Sequence, residues 1–214
     1  MPTNAPVISF RRPETRDGDA AALVHGETHE GQRYESLDLS AIDLEGSTFL
    51  ECVLDGLSLS EAQLRGTRFV ETLIATSFAP SLLASRTSWR DVRIESPRWG
   101  AAELYDADMT AVHIVGGKID YLNLRDARLT NVLLEGCTIG ELDVRRAKLN
   151  RVALRDCTIN ALEFDRATCK DVDIRGTEFA VVNGLDGLRG VTIDEAQLSM
   201  FAGLFARQLG VIVE

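Results

Sequence analysis

Apolar residues fall on every fifth position from Leu39 to Phe179 without a break in register. The series opens Leu39, Leu44, Phe49, Leu54, closes Phe164, Cys169, Ile174, Phe179, and runs for 29 consecutive positions. With 45% hydrophobic residues, such a run arises by chance roughly once in ten billion chains when matches to a periodic template are counted. A helix repeats at about 3.6 residues and a strand at about 2, so a sustained five fits neither. It fits a chain that turns a corner every five residues, four sides making one coil.

The residue two before each of these centres tests the coil length. From Ala107 these positions read Ala107, Val112, Gly117, Leu122, then Ala127, Val132, Cys137, Leu142, then Ala147, Val152, Cys157, Leu162. The order recurs every 20 residues, so like residues stack in columns. Stretches such as Ala41-Ile42-Asp43-Leu44, Ala107-Asp108-Met109, Ala127-Arg128-Leu129 and Ala147-Lys148-Leu149 resemble the pentapeptide-repeat family, whose consensus is roughly A(D/N)LXX. The resemblance implies an all-β solenoid, a right-handed quadrilateral parallel β-helix. About seven coils near 4.8 Å apart would give a rod roughly 34 Å long.

The centres are expected to fill the core, each buried Leu, Ile or Phe contributing about 1.5–3 kcal/mol. Ser47, Thr67, Thr72 and Thr87 sit two before a centre, where small hydroxyls bond corner backbone. Ala79 and Ala84 read as space made for Trp99 and Trp89, since two tryptophans in adjacent layers would overfill the core. Leu73, Phe78 and Leu83 each precede a centre and are expected to point outward. With Pro80 and Pro97 nearby they mark an irregular zone over 73–99. Either it is local repacking or it is an apolar patch for a partner.

A solenoid leaves an open core at each end and needs caps. Residues 1–35 form an N-terminal flank and possible cap, 36–182 the β-helix, and 183–214 a C-terminal capping and dimerisation segment. Val7-Ile8-Ser9-Phe10 and Leu23-Val24 read as short strands starting the first coil, with disorder before residue 6. Thr192-Ile193-Asp194-Glu195 reads as a capping box opening an α-helix, and Gly210 as its stop. Leu198, Phe201, Ala202, Phe205 and Leu209 share one helical face, which Met200 and Leu204 widen beyond the stripe a simple surface helix needs. One side then seals the last coil and the other packs on a second copy. The dimer interface is expected at Met200, Phe201, Leu204, Phe205, Val211 and Val213. The segments Gly187–Asp194 and Gln208–Val213 are similar to the tail of the fluoroquinolone-resistance subgroup of the family. That resemblance implies a homodimer whose acidic rod mimics DNA and binds DNA gyrase. The alternative is a general binding scaffold with an unrelated protein partner.

The formal charge of −10 disfavours direct binding to nucleic acid phosphates. The repeat 39–180 carries 17 basic and 22 acidic residues, so arginines interleave its acidity. No apolar stretch approaches the length of a membrane span, no signal-peptide pattern opens the chain, and the cysteines Cys52, Cys137, Cys157 and Cys169 occupy repeat positions. A reduced, cytoplasmic protein is expected.

Candidate chemistry is sparse, and neither a metal, a cofactor nor an enzymatic activity is expected. His25 and His29, with Glu27 and Glu30, have chelating spacing only on a helix that Gly26 disfavours, so they read as solvated surface, as does His113. Cys137 and Cys157 stack one coil apart, wider than a disulfide requires, and read as an inert thiol column. Glu103, Asp143 and Glu163 form a column with Asn123 and read as a solvated face. Arg125, Arg145, Arg146, Arg151, Arg155, Arg166 and Arg175 make the late coils locally basic, with neighbouring aspartates to neutralise them.

Overall fold

The computed structural model describes residues 3–212. The chain coils into a parallel, right-handed β-helix of about nine turns closed by one C-terminal helix, α1 (Glu195–Gln208). The four walls are named here by their centres at Leu39, Leu44, Phe49 and Leu54. Strands such as Ser88–Glu95 and Asp108–Val115 run across the Phe49 and Leu54 walls. Strands such as Arg98–Glu103 and Lys118–Asn123 run across the Leu39 and Leu44 walls. Each strand pairs with the one 20 residues on, as in Met109↔Leu129↔Leu149. The expected 20-residue period is thus the pairing register.

The rod is longer than the seven coils read from the sequence, because its first turns do not use aliphatic centres. His29 and Tyr34 occupy centre positions ahead of Leu39, and both are buried. His29 stacks on Phe49, Phe49 on Phe69 and Phe69 on Trp89, with ring centroids 4.9, 5.4 and 4.3 Å apart. This aromatic column down the Phe49 wall starts the solenoid near Thr28, inside what reads as flank. The Trp89 and Trp99 layers are accommodated as expected: Ala79 lies beside Trp99 in register, and Ala79 and Ala84 are fully buried.

Positions two before a centre do more than fill space. The Thr67, Thr72 and Thr177 hydroxyls donate to the carbonyls of Leu44, Phe49 and Leu154, each 23 residues back. The Cys52, Cys137 and Cys157 thiols do the same to His29, Ile114 and Leu134. Thr87 and Ser77 instead accept from the Trp89 and Trp99 indole N–H groups, at 2.7 and 3.0 Å. A buried indole needs such a partner. All four cysteines are free.

Corners are set by the second residue after each centre, which takes a left-handed backbone even without glycine, as at Glu51 (φ +52°) and Asn131 (φ +55°). The strain is offset because each such amide bonds across to the next coil, Glu51 N–H to Val70 and Glu71 N–H to Arg90. One corner changes type along the rod. Between the Leu39 and Leu44 walls, Ala41 and Glu61 are left-handed, whereas from Phe78–Leu83 onward the chain passes in extended strand. The irregular zone is therefore where one edge of the rod changes its geometry. Glycine is required beside it, since a Cβ on Gly100 would lie 2.2 Å from the Pro80 carbonyl oxygen.

The C-terminal cap departs from the sequence reading in its anchor. Thr192 stays in a strand pairing with Asp173, so the helix cap moves to Asp194. Its carboxylate accepts from the Gln197 amide, and the Gln197 side chain returns the bond to the Asp194 amide. The same Gln197 donates to the Ile174 and Thr177 carbonyls, at 2.6 and 2.9 Å, closing the last corner. Gly210 follows the helix at φ +72°, as expected.

The N-terminal segment is neither the strand nor the disorder expected. Residues 3–15 run along the outside of the rod, from its C-terminal end back to its start. The Thr3 hydroxyl meets that of Thr192, Asn4 bonds Asp171, the Val7 amide donates to Asn131 Oδ1, and Phe10 packs on Val53, Leu73 and Ala75. Extended chain advances about 3.3 Å per residue against about 4.8 Å per coil, so three residues cover two coils.

Replacing Thr67 by Val keeps the shape and removes the bond to Leu44. The expected loss is about 1–2 kcal/mol in urea denaturation, and an unchanged midpoint would show that the hydroxyl contributes only volume.

Candidate interaction surfaces

The walls are flat, and what distinguishes them is what their outward residues carry. On the Phe49 wall these include five basic residues, Arg68, Arg90, Arg128, Lys148 and Lys170, against Glu30 and Asp108. None of the five forms an ion pair among the described residues. The neighbouring corner is internally neutralised by Arg86–Asp106 and Arg146–Asp126. The late arginines of the other walls are mostly paired too, as at Arg175–Asp173.

The Leu44 wall is the most acidic, with Asp43, Glu45, Glu103, Asp143, Glu163 and Asp165 against three arginines. Its carboxylate column is not the solvated face expected. Asn123 and Asp143 are fully buried, because Tyr121, Arg125 and Arg145 fold over them. Asn123 donates to Glu103, Arg145 holds both Asp143 oxygens at 2.9 and 2.6 Å, and the Tyr121 hydroxyl adds a third bond. Burial pushes the Asp143 carboxyl up, but the Arg145 guanidinium and amide outweigh it, and the group lies below its ordinary value. This ladder is a structural brace, with Asp143 spent on its neighbours. Charges of both signs therefore occur on every wall.

The candidate partner residues separate. Leu73 does not point into solvent as expected: it lies on the Leu54 wall and is buried beneath Phe10. Phe78 is half exposed on the Leu39 wall, at the rim of a shallow hollow of about 960 Å³ lined also by Pro80, Arg98, Gly100, Lys118 and Thr138. Leu83 lies half-buried at the next wall. The three do not form one patch.

At the C-terminal end the helix divides differently from the expected faces. Gln197 and Phe201 are buried against the last coil, with Leu204 and Phe205 packed half-buried beside them. Phe201 is thus part of the seal and unavailable to a second copy, because Gln197 fixes the helix rotation. Leu198, expected on the sealing face, is exposed with Met200, Leu209, Val211 and Ile212. Val213 lies outside the described residues.

The histidines also differ from expectation. His29 is a core residue, its Nδ1 3.0 Å from the Tyr34 hydroxyl. His113 is buried on the Leu54 wall, where its Nδ1 accepts from Arg93 at 2.8 Å and its Nε2 donates to Glu135 at 3.0 Å. Burial lowers both imidazoles' pKa, and Arg93 lowers that of His113 further. Sequence periodicity could have flagged His29, ten residues before Leu39 and in register. His113 carries no such signal, because its cover comes from elsewhere in the chain.

The geometry defines a protein class, a quadrilateral β-solenoid built on a five-residue unit. The chain is a pentapeptide-repeat protein: the family model described as Pentapeptide repeats matches 8 copies over residues 38–72, and the same register continues in the coils to Phe179. Comparison with the curated proteins gives no match. Among solved structures the chain is similar to a trypsin-treated variant of QnrB1, a plasmid-mediated fluoroquinolone resistance protein. The identity is 18% over 89% of this chain and 92% of that one, with a TM-score of 0.42. It is also similar to HetL, a pentapeptide repeat protein involved in heterocyst differentiation regulation from the cyanobacterium Nostoc. There the identity is 12% over 80% and 90%, with a TM-score of 0.34.

The two histidines give the fold a pH dependence. Their folded pKa values lie below the unfolded value of about 6.5, so as pH falls below that value the unfolded chain takes up protons that the fold refuses. Stability present at pH 7 should decline as pH drops from about 6.5 toward 5. Urea midpoints across this range should fall less steeply in His113→Gln, and an identical slope would remove His113 from the account.

Proposed function

We propose that this chain is a non-enzymatic, protein-binding rod that acts in the cytoplasm and pairs end to end with a second copy. The observation that carries the pairing is the exposed apolar surface of Leu198, Met200, Leu209, Val211 and Ile212 beside half-buried Leu204 and Phe205. Burying such an end surface against its twin makes a self-complementary, two-fold interface. It also leaves all four walls of both rods free for a partner.

The partner to test first is DNA gyrase, on the strength of the tail segments Gly187–Asp194 and Gln208–Val213 and their similarity to the fluoroquinolone-resistance subgroup. In that reading the acidic Leu44 wall presents the DNA-like charge, and the protein protects the topoisomerase from quinolones. The sign pattern of the walls favours the broader reading. Arginines interrupt the acidic column, and the Phe49 wall is net basic, so a continuous phosphate-like field along the rod is absent. A scaffold that presents mixed charge to a protein partner accounts for both walls.

Two measurements address this. Sedimentation should give twice the chain mass, falling to one chain for a Met200→Asp, Leu209→Asp variant, and an unchanged mass would reject this interface. In a supercoiling assay with purified gyrase, a gyrase partner predicts altered activity or fluoroquinolone sensitivity at micromolar protein. No change would reject gyrase and leave the scaffold reading with another partner.

A further inference from the structure

Apolar residues at the position just before a centre are nearly confined to one wall. The Leu54 wall has Val53, Leu73, Leu133 and Ala153 there, while the other three walls together have only Phe78 and Leu83. Those four are buried, although they face away from the core. What covers the wall is the N-terminal segment. Its residues 3–10 carry no charge, and its inward side is half-buried at alternate positions, Pro6, Ile8 and Phe10. Phe10 seats against Leu73, and Asn131 and Asp171 accept the Val7 and Asn4 amides. The wall therefore recognises an extended chain by alternate apolar side chains and by fixed acceptors for its backbone.

The cover is lightly held. Among the described residues the first backbone–backbone bond from this segment to the coils is Arg16 N–H to the Gly31 carbonyl. Residues 3–15 are held by side chains alone. Near Arg11 and Arg12 a solvent-open hollow of about 300 Å³ lies between the segment and Glu51 and Glu71. The coils beneath close their own ladders without it. Elements with few buried contacts and few backbone bonds open independently of the fold they rest on.

We propose that the Leu54 wall is a docking groove for an extended, uncharged peptide segment of a partner protein. Such a segment has apolar residues at alternate positions and an aromatic at the Leu73 level, and residues 3–10 are the groove's built-in, displaceable occupant. Pairing at the C-terminal end and the identity of any gyrase-like partner do not enter the argument, since this groove lies on a different wall. Occupancy in cis lowers the apparent affinity for a peptide in trans by the fraction of molecules with the groove open. Partner binding is thereby gated by release of the strap.

The test uses the full chain and a fluorescent synthetic peptide of residues 3–10 as probe. Fluorescence anisotropy should show weak binding to the wild type and binding at least about tenfold tighter to Phe10→Ala, whose strap is loosened. Adding Leu73→Asp to that variant should abolish the gain, and a scrambled peptide should not bind. Equal binding to wild type and Phe10→Ala, or binding indifferent to Leu73→Asp or to scrambling, overturns the proposal. Should Leu73→Asp fail to fold by circular dichroism, Asn131→Ala replaces it, with several-fold weaker binding expected and no change overturning the proposal. In hydrogen exchange the amides of residues 7–10 should exchange well before those of the coil ladders. Exchange only with global unfolding would show a strap that never opens.

Discussion

Everything in this molecule depends on one coil lying in register on the next. The backbone bonds of each strand run only to the strands 20 residues before and after it, so a slip anywhere would displace every column beyond it. The small side chains two before the centres guard against that. A hydroxyl or thiol at that position reaches a specific carbonyl 23 residues back, which a shifted coil could not offer. The core centres supply the free energy of burial, and these short polar side chains supply the registration.

The same stacking rule explains the outer surface. Side chains above one another on a wall are about 4.8 Å apart, close enough to bond laterally. On the Leu44 wall this converts Glu103, Asn123, Asp143 and the covering arginines into a braced ladder. On the Phe49 wall the cations find no such partners and remain in solvent. One geometry thus yields a neutralised wall and a reactive one, and only the residue sequence down each column decides which.

Much of this was legible in the chain. Centres from Leu39 to Phe179 are under one uniform demand for apolar volume, so periodicity exposes them. The limits are equally physical. His29 and Tyr34 keep the register while breaking the polarity rule, because stacked rings and a shared hydrogen bond replace aliphatic burial in the first turns. Asp143 reads as a surface acid because its cover comes from the flanking arginines and from Tyr121, themselves polar. The reading of Thr192 as a helix cap failed because it competes with a strand pairing to Asp173. Above all, Leu73 reads as exposed because nothing local announces that Phe10, 63 positions away, will lie on it.

The strap also fixes an order of events during synthesis. Residues 3–10 leave the ribosome first, yet the side chains that hold them, Leu73, Asn131, Asp171 and Thr192, are made progressively later. At about 5–20 residues per second the nascent chain spends seconds with coils forming and its first residues unplaced. The segment can be laid down only from Phe10 toward Thr3, one coil at a time, as the rod lengthens beneath it. Its last contact, with Thr192, closes only after the final turn is built. A seated N-terminus is therefore the molecule's own record that the rod has been completed.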